Sequence, residues 1–277
     1  MSIRKKSNIN GGLMCAAAAV SLPLVLLAPG RTTKRQRAPF MGMNFAHRGL
    51  HSRDKSVPEN SLEAFELASR AGYGMELDVQ LSKDGQVVVF HDDTLERVCG
   101  VNARVDSLTY DELKKLRLCG TEHTIPLFSE VLSTIRGRGP LIVELKNGKR
   151  NRELCEKTYR LLSDYRGEVC IESFNPLIVA WFRRHAKDLV RGQLAMPAHY
   201  YDGTMKKTMA FLLSHGFTNI LCRPQFIAYR IGKKPLTVRL SEHMGAMKVA
   251  WTSHEPKNEK KNDAVIFEFY KPRVNFK

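Results

Sequence analysis

Residues 75–80 read Met-Glu-Leu-Asp-Val-Gln, and the interpretation of the whole chain starts from this stretch. Apolar residues alternate with carboxylates, which predicts a short β-strand. Because successive side chains of a strand point to opposite faces, Glu76 and Asp78 are expected on the same face. An unpaired charge is costly on a strand that is buried in a parallel sheet. The two carboxylates therefore indicate a bound divalent cation or a basic partner.

Around this stretch, short β-branched runs alternate with helical patterns from about residue 44 onward. The sequence predicts strands at 44–47, 75–80, 141–146, 169–172, 191–194, 218–221, 248–252 and 264–268. It predicts helices at 61–71, 151–164, 176–185, 205–214, 225–231 and 236–244. About eight strands that alternate with helices are typical of an α/β protein with a (β/α)₈ TIM barrel. A doubly wound open sheet is the alternative, but no glycine-rich nucleotide loop supports it.

One segment, at about 82–125, interrupts the alternation of strands and helices. A turn at Lys83-Asp84-Gly85 follows the second strand, a further short strand is predicted at 86–90, and a helical stretch at 109–116. This pattern predicts a small insertion after the second strand. Its turn is expected to bring His91 back to the rim of the sheet.

The composition narrows the class of protein. The chain has 277 residues, of which 43% are hydrophobic and 26% charged. These values exclude a wholly disordered, collagen-like or polytopic membrane protein. The formal net charge of +16 indicates an anionic partner. A nucleic-acid partner is not expected, because the sequence has no helix-turn-helix, zinc module or aromatic-laced basic sheet.

The N-terminal region combines an apolar run with basic flanks. Residues 11–30 carry no charge and are long enough for a helix that crosses a bilayer. Residues 1–38 are therefore predicted to be an N-terminal hydrophobic helix that attaches the protein to a membrane by a single span. A cleaved signal peptide with secretion is the alternative. Basic residues flank both ends, which leaves the side of the membrane undetermined. Residues 39–277 are predicted to form the barrel domain.

Four short motifs carry candidate chemistry, and each lies at the end of a predicted strand, where barrel enzymes place their reactive groups. They are His47-Arg48-Gly49, Glu76-Leu77-Asp78, His91-Asp92-Asp93 and Glu144-Leu145-Lys146. Two histidines can carry protons near neutral pH, carboxylates can bind a metal ion, and Arg and Lys can hold an anion. The combination predicts a site for a phosphate ester. Read alone, Glu144 and Lys146 are equally consistent with a structural ion pair.

The ordered motifs closely resemble the glycerophosphodiester phosphodiesterase family, in particular its bacterial members. The resemblance covers about residues 44–270. The stretches that carry it are His47-Arg48-Gly49, Pro58-Glu59-Asn60-Ser61, residues 76–80, 91–97 and 108–113, Ile125-Pro126-Leu127, Glu144-Leu145-Lys146, residues 172–176, and Trp251-Thr252.

The resemblance implies roles for these positions. Residues matching Glu76, Asp78 and Glu144 bind one divalent cation, either Ca²⁺ or Mg²⁺, in this family. Those matching His47 and His91 act as general acid and base, and those matching Arg48 and Lys146 hold phosphate oxygens. Glu59 and Trp251 are expected in the pocket. The implied reaction is hydrolysis of a small glycerophosphodiester to sn-glycerol 3-phosphate and an alcohol.

Two other functions compete with this prediction. One is a phospholipase D-like hydrolase that acts on intact lysolipids or phospholipids at the membrane. The other is a non-catalytic binding or structural protein built on a barrel. The preferred alcohol is left open, because Ser253-His254 stands where many relatives have Val-Asn.

Overall fold

Eight parallel strands pair around a closed ring in the computed structural model, which describes residues 24–277. Around the ring the order is β1, β9, β8, β7, β6, β5, β4 and β2, and pairing of β1 with β2 closes it. A ninth strand, β3, pairs antiparallel with β2. The predicted (β/α)₈ TIM barrel is confirmed. The strands are β1 Met43–Ala46, β2 Gly74–Leu81, β3 Val87–Val89, β4 Leu141–Leu145, β5 Val169–Ser173, β6 Val190–Ala195, β7 Phe226–Arg230, β8 Met247–Ser253 and β9 Ala264–Phe267.

Helices surround the barrel and connect its strands. The α-helices are α1 Lys34–Arg37, α2 Leu62–Arg70, α3 Glu96–Cys99, α4 Tyr110–Leu113, α5 Phe128–Ile135, α6 Asn151–Ser163, α7 Pro176–His185, α8 Lys207–Ser214, α9 Asn219–Cys222 and α10 Leu236–His243. Short 3₁₀ segments lie at Ala38–Phe40, Val105–Ser107, Leu118–Gly120, Ala198–Tyr201 and Pro256–Lys261.

The alternation along β2 sets the two faces of the barrel wall. Every residue of this strand is buried. Met75, Leu77 and Val79 belong to the apolar layer between strands and helices, together with Phe65 of α2 and Phe128 of α5. Burial of each such side chain contributes about 1.5–3 kcal/mol of apolar transfer free energy. Because neighbours in a strand face opposite ways, this layer forces the intervening carboxylates of β2 into the barrel.

The segment between β2 and β4 forms a small apolar cluster of its own. This cluster contains Val88, Phe90, Leu95, Val98, Val105, Leu113, Leu118 and Ile125. The Gln80 side-chain amide donates to the backbone carbonyl oxygens of Phe90 (2.8 Å) and Asp92 (2.9 Å). These bonds fix the backbone on either side of His91 at the end of β2, where the sequence predicts it.

Two predicted elements have the wrong type. Residues 219–222 form a helix rather than a strand, and 226–230 form strand β7 rather than a helix. Pairing between strands that are distant in sequence is the reason, because Phe226 pairs with Gly192 of β6 and with Met247 of β8. Gly192 has no side chain, and the ring of Phe226 occupies that space. Closure of the barrel therefore decides which segment is the strand. Helix α5 was also missed.

The predicted membrane-associated localisation is wrong. Within residues 24–277, the structure contains no helix with the length and apolarity that a bilayer crossing requires. Residues 24–27 are helical, but the chain then leaves the helix and lies on the barrel. Residues 11–23 of the predicted span lie outside the described residues, as does the rest of the region 1–23.

Hydrogen bonds hold residues 25–31 against the barrel. The carbonyl oxygen of Leu27 accepts from Asn219 Nδ2 (3.1 Å) and Ser241 Oγ (2.9 Å), and its side chain is buried. Arg223 Nη1 donates to the carbonyl oxygens of Val25 and Ala28 at 2.7 and 2.8 Å. A segment that meets its backbone bonding needs on the barrel surface cannot at the same time lie in lipid, so residues 25–30, the described end of the predicted span, do not lie in a bilayer.

Leu27→Ala is expected to lower the free energy of unfolding by about 2–5 kcal/mol, because it removes a buried side chain from a packed site. Urea titration followed by circular dichroism measures the loss. Val25→Ala is the matched control, since Val25 is about half exposed and is expected to cost under about 1 kcal/mol. Equal midpoints for the two variants would contradict the docking of this segment.

Candidate active site

A cavity of about 360 Å³ opens at the carboxyl ends of the barrel strands. Most side chains predicted for the site line it or contact its walls. The lining residues are His47, Arg48, Glu76, His91, Glu144, Glu172, Phe174, Leu194, Arg230, Trp251, Thr252, Ile266 and Glu268. Residues more than 200 positions apart in sequence meet here because β9 pairs with β1 and closes the barrel.

Three buried carboxylates form the floor of the site. Glu76, Asp78 and Glu144 each offer an oxygen, and these oxygens lie within 4.8 Å of one another. Their convergence follows from the register of the sheet, in which Asp78 of β2 pairs with Glu144 of β4, and Glu144 pairs with Glu172 of β5. Four carboxylates thus lie on three neighbouring strands.

This crowding perturbs the carboxyl groups strongly. Burial and the nearby charges of Asp78, Glu172 and Glu144 raise the pKa of Glu76 well above its usual range. Burial, with Glu144 and Asp78, likewise raises the pKa of Glu172. Burial opposes ionisation of Asp78 too, but His91, Lys146 and Arg48 hold the pKa of Asp78 below its usual range. The basic neighbours therefore favour the ionised form of Asp78, whereas burial and crowding favour the protonated form of Glu76 and Glu172.

Two basic side chains neutralise part of this charge. Lys146 Nζ lies 2.9 Å from Glu144 Oε1 and 3.4 Å from Asp78 Oδ1. Arg48 Nε lies 3.6 Å from Asp78 Oδ2, and the backbone N–H of Arg48 donates to Glu76 Oε2 at 2.9 Å. Burial disfavours the charged form of Lys146, but the charges of Glu144 and Asp78 outweigh this effect and raise its pKa. Both cations are therefore fixed beside the carboxylates, where a bound anion would meet them.

Glu59 supports the Arg48 side chain from the other side. Its Oε1 accepts from Arg48 Nη1 (2.7 Å) and from Arg97 Nη2 (2.7 Å), and its Oε2 accepts from Arg97 Nη1 (2.8 Å). Burial opposes ionisation, but hydrogen bonds from Arg97 and the charge of Arg48 lower the pKa of Glu59 to about 2. The structure thus places Glu59 behind Arg48, and Glu59 is not among the residues that line the cavity.

The ring of His47 is oriented by a carboxylate that follows the last strand. Its Nδ1 lies 3.1 Å from Glu268 Oε2, and because a carboxylate only accepts, Nδ1 carries the proton. Nε2 then has its lone pair free and lies 3.9 Å from Glu76 Oε2. Burial and the charge of Arg48 lower the pKa of His47 to about 4, although Glu268 acts in the opposite direction.

His91 has the same arrangement with a different carboxylate. Its Nδ1 donates to Asp92 Oδ1 at 2.6 Å, and Asp92 is held in turn by Arg97 Nε at 2.5 Å. Burial opposes ionisation of Asp92, but the hydrogen bonds from His91 and Arg97 keep its pKa below the usual range. Both predicted proton carriers therefore have one nitrogen fixed by a carboxylate and the other available to a ligand.

Trp251 lies in the wall of the cavity, as the sequence predicts. Its Nε1 donates to the carbonyl oxygens of Ala195 and Ala228 at 3.2 Å each. Its ring meets Phe174 edge-on at 5.8 Å, and the guanidinium of Arg230 lies 5.4 Å from the ring centroid. This wall consists of aromatic rings and an arginine, whereas the floor consists of carboxylates.

Two site residues were missed by the sequence analysis, Glu172 and Glu268. Glu172 belongs to the stretch 172–176 that carries the family resemblance, and Glu268 ends the predicted strand 264–268. Each is an acidic residue at the end of a barrel strand, which was a usable signal. The sequence does not show which side chains these two residues contact, because a partner such as His47 lies 221 positions away from Glu268.

The carboxylate floor fits a divalent cation. It offers hard oxygen ligands of the kind that Ca²⁺ and Mg²⁺ prefer. Glu172 Oε2 and Asn60 Oδ1 are buried with no hydrogen-bond partner, so the site contains oxygen atoms whose bonding capacity is unmet. Burial, followed by repulsion from neighbouring carboxylates, raises the pKa of Glu76 and Glu144, and a cation would offset both effects. The choice between the two metals is not contained in this geometry.

Comparison with known proteins identifies the family to which this cavity belongs. A model described as "Glycerophosphoryl diester phosphodiesterase family" matches residues 47–268, from the first cavity histidine to Glu268. The chain belongs to the glycerophosphoryl diester phosphodiesterase family. It is therefore an enzyme of the phosphoric diester hydrolase class, and the predicted resemblance is confirmed.

Individual proteins related to this chain are similar to it over half of its length or more. A glycerophosphodiester phosphodiesterase from Bacillus altitudinis is 33% identical over 177 residues, which is 60% of this chain and 71% of that protein. A lysophospholipase D from Rattus norvegicus is 35% identical over 158 residues, covering 52% of this chain and 48% of that one.

Solved structures show the same fold. A phosphodiesterase from Oleispira antarctica, in complex with the product sn-glycerol-3-phosphate, superposes with a TM-score of 0.66 at 22% identity. The match covers 82% of this chain and 93% of that one. A glycerophosphodiester phosphodiesterase from Thermotoga maritima has a TM-score of 0.61 at 26% identity, covering 81% and 93%.

Glu268→Gln is expected to lower kcat/KM for glycerophosphocholine by about 10- to 100-fold, because His47 loses the charge that fixes its ring and tautomer. Since Glu268 raises the pKa of His47, its removal should also move to lower pH the limb of the kcat/KM profile that His47 governs. A pH series with purified protein measures both effects. Glu255→Gln, at an exposed ion pair with Lys257, is the matched control. A profile of unchanged shape would contradict this positioning role.

Glu59 also predicts a pH dependence of stability. Folding lowers the pKa of Glu59 and so favours its ionised form. The ionised carboxylate stabilises the folded state above about pH 4.5, and this stabilisation is lost as the pH falls through about 2. The contribution is about 1–3 kcal/mol, because Arg97 is half exposed. Glu59→Gln should therefore cost that amount at pH 6, and the difference from wild type should shrink as the pH falls toward 2.

Urea titrations at a series of pH values measure this difference in the free energy of unfolding. Glu156→Gln is the control, because Glu156 pairs with Arg152 on an exposed helix surface. Its cost should stay below about 1 kcal/mol throughout. A difference for Glu59→Gln that is constant with pH would show that the ion pairs with Arg48 and Arg97 are not its source.

Proposed function

We propose that this phosphodiesterase hydrolyses glycerophosphodiesters to sn-glycerol 3-phosphate and an alcohol with the help of one divalent cation, Ca²⁺ or Mg²⁺. The observation that carries the proposal is the cavity itself. It is lined by Glu76, Glu144, Arg48 and two histidines that are each oriented by a carboxylate, and Asp78 and Lys146 lie directly beside these lining residues.

The phosphodiester would bind beside Arg48 and Lys146. Both side chains are nearly buried and are already held by carboxylates, so little conformational entropy remains to be lost when an anion binds. Their positive charges would offset the negative charge that builds up on the phosphate oxygens during attack. Because these side chains are largely buried, their fixed charges act more strongly than they would in bulk water.

Glu76, Asp78 and Glu144 would hold the cation, with Glu172 close behind them on β5. When bound, the cation supplies Lewis-acid polarisation of a phosphate oxygen and further charge neutralisation. The protein's own part is to keep these carboxylates converged, which the sheet register does.

His47 and His91 would move the protons. Each has Nδ1 fixed by a carboxylate, which leaves Nε2 available to the substrate. One imidazole would take the proton from the attacking nucleophile, and the other would give a proton to the departing alcohol oxygen. Without that second transfer the alcohol would leave as an unstable alkoxide.

Known relatives support the proposal. The Bacillus altitudinis relative is named as a glycerophosphodiester phosphodiesterase, and the Oleispira antarctica structure contains sn-glycerol-3-phosphate as product.

The purified protein is expected to release glycerol 3-phosphate from glycerophosphocholine, and EDTA should abolish the release. Added Ca²⁺ or Mg²⁺ should restore it, and a titration with each ion identifies the better cofactor. His47→Ala and His91→Ala should each lower kcat by about 10²- to 10⁴-fold, because each removes one proton carrier. An enzyme-coupled assay for glycerol 3-phosphate measures the activity under each of these conditions.

His185→Ala is the matched control. His185 lies at the exposed end of α7 and its Nδ1 donates to the carbonyl oxygen of Trp181, away from the cavity. Full activity in the His47→Ala and His91→Ala variants would refute the proton-transfer roles. Turnover that survives exhaustive chelation would refute the metal requirement.

A further inference from the structure

Outside the catalytic cavity, an apolar groove of about 490 Å³ lies against helices α7, α8 and α9. We call it the lateral groove. No charged residue is among those that line it in the described part of the chain. They are Asn147, Phe174, Asn175, Pro176, Leu177, Met205, Met209, Leu212, Leu213, Phe217, Thr218, Ile220 and Leu221. Its volume is that of a site for one small molecule.

The lateral groove begins where the catalytic cavity ends. Phe174 follows β5 directly and lines both spaces. On one side its ring meets Trp251 of the cavity wall edge-on at 5.8 Å, and on the other it meets Tyr201 at 6.2 Å. Asn147, the residue after Lys146, also lines the groove. A ligand whose phosphate lies beside Lys146 can therefore reach the groove without leaving the protein surface.

Several large apolar side chains of the lateral groove are exposed to water. Leu177 is 63% exposed, Leu221 51% and Met209 45%. A contiguous apolar surface of this kind marks a binding site more often than a surface without function. The three residues come from three different helices, which meet only through the fold.

The catalytic cavity and the lateral groove together indicate which chemical groups a ligand that occupies both must have. The catalytic cavity is lined by Arg48, Arg230 and several carboxylates, with Lys146 beside Glu144, and so suits a phosphodiester, whereas the lateral groove supplies only apolar and neutral contacts. A molecule that satisfies both must join one phosphodiester to one apolar chain. A small headgroup diester such as glycerophosphocholine would fill the first space and leave the second empty.

We propose that the lateral groove binds the acyl chain of a lysophospholipid whose phosphodiester lies in the catalytic cavity. This inference rests on the proposed function and adds a substrate class to it. The chain would cover Leu177, Met209 and Leu221, and their burial supplies the binding free energy. The groove thus acts as a specificity subsite, with the chemistry left to the cavity.

The test compares kcat/KM for glycerophosphocholine with kcat/KM for lysophosphatidylcholines of increasing chain length, all as monomers below their micelle concentrations. With wild-type protein, kcat/KM for the lysolipid should rise about threefold to fourfold for each added methylene until the groove is filled. In the double variant Leu177→Gln and Met209→Gln, this increment should fall to less than about 1.5-fold, because the added methylenes then meet polar groups. The ratio of lysolipid to glycerophosphocholine kcat/KM should drop by about 10-fold or more.

Leu236→Gln is the matched control. Leu236 is also a large exposed apolar residue, on α10, but it does not line the groove. It should keep the wild-type chain-length increment. If the increment is absent in wild type, or is lost equally in Leu236→Gln, the groove does not hold the acyl chain and the proposal is overturned.

The remaining outcomes separate this proposal from the proposed function. If glycerophosphocholine is hydrolysed but chain length has no effect, only the acyl subsite fails. If neither substrate is hydrolysed, the proposed function fails. Sedimentation velocity of the double variant adds one more outcome: a change of oligomeric state without any change in chain-length dependence would assign the groove to a second copy of the chain, and would overturn the acyl proposal.

Discussion

The structure depends on one electrostatic constraint, the burial of four carboxylates on three neighbouring strands inside the barrel. Glu76, Asp78, Glu144 and Glu172 are all nearly inaccessible to water. Left unpaired, such a cluster would cost several kcal/mol per ion, and the barrel would gain by burying apolar residues there instead. Lys146 and Arg48 offset only part of the charge. Burial, together with repulsion between the carboxylates, raises the pKa of Glu76 and Glu172, so the cluster lowers the stability of the fold and favours a bound cation.

The surroundings of this cluster keep each functional group in one position. Glu59 fixes Arg48, Glu268 fixes His47 and Asp92 fixes His91, so every predicted cation or proton carrier except Lys146 has a carboxylate outside the floor as its support. Arg97 joins two of these supports, because it contacts both Glu59 and Asp92. Arg97 belongs to the segment between β2 and β4, whose own apolar cluster holds it in place. That segment therefore acts on the site as well as covering one side of the barrel.

Much of the fold followed from local patterns, and the failures have identifiable causes. Strands β2 and β4 agree with the sequence prediction within a residue or two, because the apolar positions of β2 repeat with a period of two and β4 begins with a short β-branched apolar run. The exchange of strand and helix at 218–231 arose because Thr218–Leu221 and Phe226–Arg230 are both short and apolar, and only pairing with β6 and β8 decides between them.

The single-span helix was inferred from the absence of charge over 11–30. Hydropathy alone carried no information on the backbone bonds that hold Leu27 and Gly30 to the barrel.

For the candidate site the division is similar. The sequence by itself determined the chemical groups and their order: a histidine and an arginine after the first strand, paired carboxylates on the second, a second histidine, and an acid and a lysine on the fourth. These are local facts, since the alternation of a strand places Glu76 and Asp78 on one face whatever surrounds them. Only the tertiary structure decided that Glu172 completes the carboxylate floor, that Glu268 orients His47, and that an apolar groove adjoins the cavity at Phe174. Each of these depends on barrel closure or helix packing, which bring together residues far apart in sequence, and no local pattern encodes such distances.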